Sequence, residues 1–167
     1  MPQAYLQKAT HRWGKRILVG ALALIAVSAV AGAAYQFIAT QQQSAANPAP
    51  GQLVDIGGYR LHIWCTGIGS PAVILDTGLG GSLLDWGFVQ PEAAKFSRVC
   101  SYDRAGMGFS DLGPSPRTSR RIAAELHELL DRIGIRQPVV LVGASFGGFN
   151  IRMFASEYPD GAPGLCS

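Results

Sequence analysis

An apolar run near the N-terminus constrains this chain more than any other feature of its sequence. From Ile17 to Tyr35 the chain carries no charged residue over 19 positions, close to the roughly 20 residues that an α-helix needs to cross a membrane. A basic cluster precedes the run, and the next charged residue after it is Asp55. This pattern predicts a transmembrane or signal-anchor helix over residues 17–38, behind a basic segment at residues 1–16.

The basic cluster also predicts the orientation of the chain. Positive residues flanking a span remain on the cytoplasmic side, so we expect residues 1–16 in the cytoplasm and the rest outside it, in a periplasm or extracellular space, behind a single span. Two alternatives stay open. Cleavage at the small residues 31–33 would release a secreted protein, although the apolar core of a signal peptide normally has only about 7–15 residues. A soluble protein could also bury the helix. Residues 39–51, rich in linker residues, are predicted to be flexible.

Residues 52–167 alternate between segments typical of strands and of helices. Gly57 and Gly58 separate two strand-like runs and predict a β-hairpin. Apolar residues of the segment 118–133 recur at helical spacing, with Gly134 placed to end that helix. The predicted strands lie at residues 53–56, 59–65, 71–76, 98–102 and 138–142. Strands that alternate with helices predict an α/β fold with a largely parallel sheet.

A serine motif follows the last predicted strand. Gly143-Ala144-Ser145-Phe146-Gly147 matches G-x-S-x-G, in which a sharp turn from strand to helix exposes the serine hydroxyl. Side chains at the two glycine positions would collide with the neighbouring strand and helix. The helix that begins after the turn directs free N–H groups at the site. The motif therefore predicts Ser145 as a nucleophile, with Gly143 and Gly147 as structural residues of the elbow.

Negative charge that develops during acyl transfer requires two N–H donors, which together form an oxyanion hole. The backbone N–H of Phe146 is the first predicted donor. The second is expected from the loop that follows the strand at residues 71–76. We assign it to Leu79, with Gly78 as the alternative.

Three segments together resemble the α/β-hydrolase family, in its serine-hydrolase and membrane-anchored bacterial branch. They are Gly78–Gly81, Tyr102–Ser110 and the elbow around Ser145, in the order and at the spacing of that family. The resemblance implies the N-terminal half of an α/β-hydrolase sheet, with an antiparallel hairpin and then parallel strands flanked by helices. It also implies a serine hydrolase that acts on a small-molecule ester or amide through an acyl-enzyme. Epoxide hydrolases and dehalogenases of this family carry a carboxylate where this chain has Ser145.

The same family places its catalytic acid and histidine after the serine. No histidine follows Ser145, and the only acids there are Glu157 and Asp160, at the end of the elbow helix. The tail at residues 161–167 is rich in Gly and Pro where an apolar strand is expected, which disfavours a central strand. We therefore expect a truncated hydrolase domain that is inactive alone, with the strand at residues 138–142 as a bare edge. The alternative is a non-catalytic pseudoenzyme or half-domain that binds a partner.

No cofactor, metal or nucleic acid is expected. The formal net charge of +3 comes from the N-terminal cluster, and there is no Cys-x-x-Cys motif.

Cys65 and Cys100 are predicted to be free apolar side chains within strands. His62 is interpreted as a strand-surface residue, and His127 as a solvated helix residue. Asp103 precedes the serine, so we expect it to brace its turn rather than to act in catalysis. The loop at residues 78–81 lacks the full G-x-G-x-x-G pattern and the lysine of phosphate-binding loops.

Overall fold

The computed structural model describes residues 3–46, 48–136, 138–161 and 164–166 of the 167-residue chain. The chain divides into two compact units, Met1–Pro48 and Ala49–Ser167. The predicted boundary between linker and folded domain, at residues 51 and 52, lies close to this division.

The first unit is one long helix, α1, from Gln3 to Ala46. Its segment Lys15–Thr40 has a mean hydropathy of 2.4 and is long and apolar enough to cross a membrane, as some signal sequences also are. It is the only helix of this kind in the described part of the chain. The helix continues through residues 39–46, which were predicted to belong to the flexible linker. Gln and Ala are good helix formers, and the first proline after the run is Pro48.

The second unit is built on a mixed six-stranded sheet, in the spatial order β1-β2-β4-β3-β5-β6. Strands β1, β2 and β4 pair antiparallel, and the pairs β4–β3, β3–β5 and β5–β6 are parallel. This arrangement confirms the predicted fold class. The strands are β1 Gln52–Asp55, β2 Arg60–Thr66, β3 Val73–Asp76, β4 Val99–Asp103, β5 Val140–Gly143 and β6 Gly164–Cys166, and the helices are α2 Gln90–Ala93, α3 Ser119–Arg132 and α4 Phe146–Glu157.

Local sequence explains the hairpin and the longest helix of this unit. Gly57 and Gly58 have φ values of 102° and 113°, and both donate backbone N–H bonds to the Asp55 carboxylate. The Thr118 hydroxyl caps α3 by accepting from a backbone N–H of its first turn. Gly134 follows this helix with a φ of 76°, the left-handed conformation that ends many helices. The apolar stripe of α3 is buried at Ile122, Ala123, Leu126, Leu129 and Leu130.

Strand β6 corrects the prediction that the strand at residues 138–142 is a bare edge. Gly164 pairs with Val140 and Cys166 with Val142, in parallel register. A short edge strand tolerates glycine better than a central strand does, because only one of its sides must pair. The tail therefore covers β5, although its composition disfavours a central strand.

The prediction that Cys65 and Cys100 are free is wrong. The antiparallel register of β2 and β4 places the two residues directly opposite each other, with Cα atoms 4.0 Å apart, and a disulfide joins them. Only the pairing of the two strands brings the thiols together, and a 35-residue separation in sequence gives no sign of it. Cys166 is the free, exposed cysteine among the described residues.

The interpretation of His62 as a strand-surface residue is also wrong. Leu61, His62 and Ile63 are all buried, because both faces of β2 are covered. The Nδ1 atom of His62 lies 3.2 Å from a carboxylate oxygen of Asp103, and its ring makes an edge contact with Phe109. Period-2 alternation predicts a polar face only where that face remains in solvent.

Candidate active site

The candidate site lies at the carboxyl ends of three parallel strands. Strands β3, β4 and β5 run in the same direction and end at Asp76, Asp103 and Gly143. The loops that follow them therefore meet at one edge of the sheet, where α/β folds bind their ligands. The predicted nucleophile and the predicted donor Leu79 belong to these loops, and the predicted donor Phe146 is the first residue of α4.

Ser145 adopts a strained backbone conformation between β5 and α4. Its φ is 52° and its ψ is −116°, and no other non-glycine residue of the described chain has a positive φ. Such a conformation costs on the order of 1–3 kcal/mol and persists only where the surroundings enforce it. The side chain is exposed and makes no capping hydrogen bond to α4, so its hydroxyl is free to meet a ligand.

The glycines of the motif permit the close packing that enforces this turn. A Cβ atom added to Gly143 would lie 2.6 Å from the backbone carbon of Gly147. A Cβ added to Gly147 would lie 2.3 Å from the backbone oxygen of Asp76. Both distances are far below van der Waals contact, so the elbow packs against β3 only when these positions lack a side chain.

Both predicted oxyanion donors are available at this edge. Among the described residues, neither the backbone N–H of Leu79 nor that of Phe146 has a hydrogen-bond partner. Gly78 brings the first loop next to the nucleophile, because a Cβ added there would lie 3.6 Å from the Cβ of Ser145. Leu79 and Phe146 line one cavity of about 90 Å³, whose other walls are mostly apolar. The remaining lining residues are Arg104, Ala105, Met107, Arg117 and Ile122.

A buried ionic network supports this loop, and it was not predicted from the sequence. The carboxylate of Asp76 is inaccessible to solvent and accepts hydrogen bonds from the Tyr102 hydroxyl, at 3.0 Å, and from the Arg104 guanidinium. Burial raises the pKa of Asp76, while the charge of Arg104 opposes this shift. Only the register of β3 and β4 brings these side chains together, so no local motif could have revealed them.

Asp103 has the bracing role that the sequence predicts. Its two carboxylate oxygens accept the backbone N–H groups of Leu83, at 2.8 Å, and Phe109, at 3.0 Å. A Cβ added to Gly108 would lie 2.3 Å from the Asp103 carboxyl carbon, so this glycine lets the turn wrap around the carboxylate. Asp103 therefore ties the loop after β4 to the loop after β3.

The structure does not bring the acids after the serine to the nucleophile. Glu157 ends α4, twelve residues beyond Ser145, and lies about 18 Å along the helix from it. Its carboxylate is 3.2 Å from the Arg120 guanidinium instead. Asp160 is exposed in a short turn beyond that helix.

Neither described histidine of this unit can serve Ser145. His62 lies on β2, three strands from β5, which corresponds to about 14 Å across the sheet. His127 is exposed, as expected for a solvated helix residue, and stacks on Tyr158 with ring centroids 4.0 Å apart. That contact lies at the far end of α4 from the serine.

The sequence profile of the α/β hydrolase fold matches residues 71–166, more than half of the chain. The chain belongs to the α/β hydrolase fold family. Members of this family act on small-molecule substrates.

Similar proteins match parts of this α/β hydrolase chain. It is 37% identical over 106 residues to a "Probable transporter efuK" of Hormonema carpetanum, covering 60% of this chain and 15% of that one. It is 31% identical over 105 residues to a soluble epoxide hydrolase of a Corynebacterium species, covering 63% and 36%. A solved structure of a thermophilic esterase from Thermogutta terrifontis superposes with a TM-score of 0.65 at 30% identity, covering 69% and 44%. The chain thus spans less than half the length of each.

Proposed function

We propose that Ser145 is the nucleophile of a serine hydrolase that acts on small-molecule esters or amides. The strained elbow carries this proposal, because it presents an exposed hydroxyl beside two N–H groups that have no partner among the described residues. The similarity to a protein named as an esterase supports ester chemistry. A protein named as an epoxide hydrolase is equally similar. The resemblance implies that epoxide hydrolases of this family carry a carboxylate at the elbow, whereas this chain has Ser145. The serine therefore favours acyl transfer over epoxide opening.

The proposed reaction begins with attack of the Ser145 Oγ on the substrate carbonyl carbon. As the new C–O bond forms, the carbonyl π electrons move to oxygen, and the backbone N–H groups of Leu79 and Phe146 stabilise the resulting oxyanion. A base takes the hydroxyl proton and returns it to the leaving group when the tetrahedral intermediate collapses. Water then attacks the acyl carbon while the base takes its proton; collapse of this second intermediate breaks the bond to Ser145 Oγ, which regains a proton from the base as the acid leaves.

The proton acceptor is the part of this mechanism that the 167 residues do not supply. A serine hydroxyl is a weak nucleophile without an adjacent base, and no histidine follows Ser145 in the sequence. We therefore propose that this chain, assayed alone, acylates slowly. Oxyanion hole and substrate binding still retain on the order of 10³–10⁴-fold over water when a catalytic triad is removed.

An external base tests this function directly. The full chain, purified in detergent, is incubated with an activated ester such as p-nitrophenyl acetate, with and without imidazole, and acylation is followed by intact mass. We expect slow acylation that imidazole accelerates and that Ser145→Ala abolishes. Ser156→Ala, which removes an exposed hydroxyl at the other end of α4, is the matched control and should leave the rate unchanged. Equal acylation of wild type and Ser145→Ala would exclude the proposed nucleophile.

We also propose that α1 tethers the hydrolase unit to a membrane, with residues 1–16 cytoplasmic and the second unit outside. The length and hydropathy of Lys15–Thr40 support a single span. The disulfide between Cys65 and Cys100 is in keeping with an oxidising compartment such as a periplasm or extracellular space. Secretion after cleavage of the helix would be equally compatible with the disulfide.

A non-catalytic binding role is the second candidate. Large apolar side chains in the segments that follow β3 and β4 are exposed, including Leu79 at 77%, Phe88 at 95% and Leu112 at 85%. Exposed apolar patches commonly mark interaction surfaces. The acylation experiment separates the two roles, because a half-domain that only binds a partner shows no acylation that depends on Ser145.

A further inference from the structure

Arg104 reaches from the end of β4 into the loop that holds the predicted oxyanion donor. Its guanidinium donates to the backbone oxygens of Thr77, at 2.7 Å, and Gly78, and it pairs with the Asp76 carboxylate. The side chain is only 4% exposed. One buried cation therefore contacts three consecutive residues that lead to Leu79.

The two hydrogen bonds from Arg104 to carbonyl oxygens determine where the N–H groups of this loop point. A peptide unit is planar and trans, so its C=O and N–H bonds point in opposite directions. The oxygen of Gly78 and the N–H of Leu79 belong to one such unit, and the oxygen of Thr77 and the N–H of Gly78 belong to the one before it. When Arg104 holds both oxygens, it also fixes the direction of the N–H bonds of Gly78 and Leu79, the two alternatives for the donor that this loop supplies.

We propose that Arg104 is a positioning residue that orients the oxyanion hole through the carbonyl groups of the loop. The proposal rests on the proposed function of Ser145 and deepens it. Arg104 makes no bond to the reacting atoms; it acts through the peptide unit that joins Gly78 to Leu79. Its positive charge also polarises that unit, and hydrogen bonds in such a chain strengthen one another.

The chemistry of arginine suits this role and that of lysine does not. A guanidinium presents five N–H donors in a rigid plane, whereas an ammonium is a point charge on a flexible stem. The Asp76 carboxylate, which also accepts a hydrogen bond from the Tyr102 hydroxyl, pairs with the guanidinium, and the centroid of the Phe146 ring lies 5.6 Å from the Arg104 Cζ atom. The same side chain thus contacts both the loop that holds Leu79 and the first residue of α4.

Residual dipolar couplings measured on the full chain in detergent micelles report the direction of each N–H bond. In Arg104→Lys, which keeps a positive charge beside Asp76, we expect the couplings of Gly78 and Leu79 to change and those of the β5 strand to stay the same. Arg132→Lys, on the exposed face of α3, is the matched control and should alter neither. Unchanged couplings at Gly78 and Leu79 in the folded variant would overturn the proposal.

The unsubstituted chain provides a second measurement that does not depend on whether the variant folds. If Arg104 holds two carbonyl groups and a carboxylate, its guanidinium cannot rotate freely, and its N–H resonances should be separate and slow to exchange with water. A single averaged, rapidly exchanging guanidinium signal for Arg104 would overturn the proposal.

Acylation kinetics distinguish positioning from a purely structural role. An ester and its thionoester analogue are compared in the imidazole assay, because sulfur accepts hydrogen bonds poorly and gains little from an oxyanion hole. Loss of one oxyanion donor lowers kcat by about 10²–10³-fold in a complete enzyme, so we expect Arg104→Lys to reduce the preference for the ester by about tenfold or more. A general loss of packing would slow both substrates alike.

The outcomes separate this inference from the proposed function. If acylation requires Ser145 but Arg104→Lys keeps the full ester preference, the positioning role is wrong and the nucleophile stands. If acylation does not require Ser145, the proposed function fails. The dipolar couplings of Gly78 and Leu79 then still decide whether Arg104 orients the N–H bonds of the loop.

Discussion

Two glycines near Ser145 permit the close packing that enforces its strained conformation. Gly143 and Gly147 let β5, α4 and the end of β3 approach more closely than any Cβ would allow. The absence of a side chain at Gly78 likewise lets the loop after β3 lie beside the serine. The geometry of this candidate site therefore depends on residues that contribute no functional group of their own.

Gly147→Ala tests this dependence at the level of one residue. The added Cβ would lie 2.3 Å from the backbone oxygen of Asp76, and overpacking of this kind typically costs about 1–3 kcal/mol. We expect that loss in the free energy of unfolding, measured by urea denaturation, together with loss of acylation at Ser145. Ser156→Ala in the same helix is the control. A change in stability below about 0.5 kcal/mol, as exposed substitutions show, would contradict the packing argument.

The hairpin and helix α3 are joined by a polar cluster at their contact. The Tyr59 hydroxyl, next to β2, donates to the Glu125 carboxylate of α3 at 2.6 Å, and Arg117 pairs with the same carboxylate. Glu125 is buried although it lies on a helix face that otherwise carries charges. Burial, and then the hydrogen bond to Glu125, raise the pKa of Tyr59 to about 12.

This pKa shift predicts a loss of stability in alkali. The ordinary pKa of Tyr59 is 10.0, so between pH 10 and about 12 the folded chain keeps a proton that the unfolded chain has lost. The stabilisation is fully present below pH 10 and is lost as the pH rises toward 12. We expect the free energy of unfolding to fall over this range. Tyr59→Phe should make the fall shallower, with buried Tyr102 responsible for the remainder; an unchanged slope would contradict the assignment.

Sequence patterns predict elements whose signals are local. The Gly57–Gly58 turn, the apolar stripe of α3 and the glycines of the elbow each encode their structure within a few residues, and those elements form where expected. Contacts between strands were not predictable in this way. The Cys65–Cys100 disulfide and the hydrogen bonds of Arg104 to the loop after β3 arise only from the register of strands that are far apart in sequence.

At the scale of the whole molecule, the disulfide and the N-terminal helix both bear on where the protein works. The disulfide closes a loop of 35 residues in the second unit, and the helix occupies the first unit. If the second unit lay in the cytoplasm, the reducing conditions there would keep the thiols of Cys65 and Cys100 from forming a disulfide. The disulfide is therefore in keeping with the proposed location of the second unit outside the cytoplasm, and the helix is in keeping with the proposed membrane tether.

Thiol counting tests the disulfide. Protein isolated from an oxidising compartment and unfolded without reductant should expose one reactive thiol, Cys166, of three cysteines. Reduction should lower the free energy of unfolding by roughly 4 kcal/mol, from the entropy of closing a loop of this length. Three reactive thiols before reduction would show that the bond does not form.

Labelling of Cys166 tests the orientation. This cysteine is exposed, so a membrane-impermeant maleimide should reach it from outside intact cells or spheroplasts. Labelling only after permeabilisation would place the hydrolase unit in the cytoplasm. Recovery of the labelled protein in the membrane fraction distinguishes an anchored chain from a secreted one.

The identity of the nucleophile is tested most directly by mapping a fluorophosphonate adduct. The 167-residue chain is treated with the probe, with and without imidazole, then digested and sequenced by mass spectrometry. We expect no adduct within minutes without imidazole and, with imidazole, an adduct on Ser145 that Ser145→Ala removes. An adduct on another residue, or none under any condition, would contradict the claim that this elbow presents a catalytic serine.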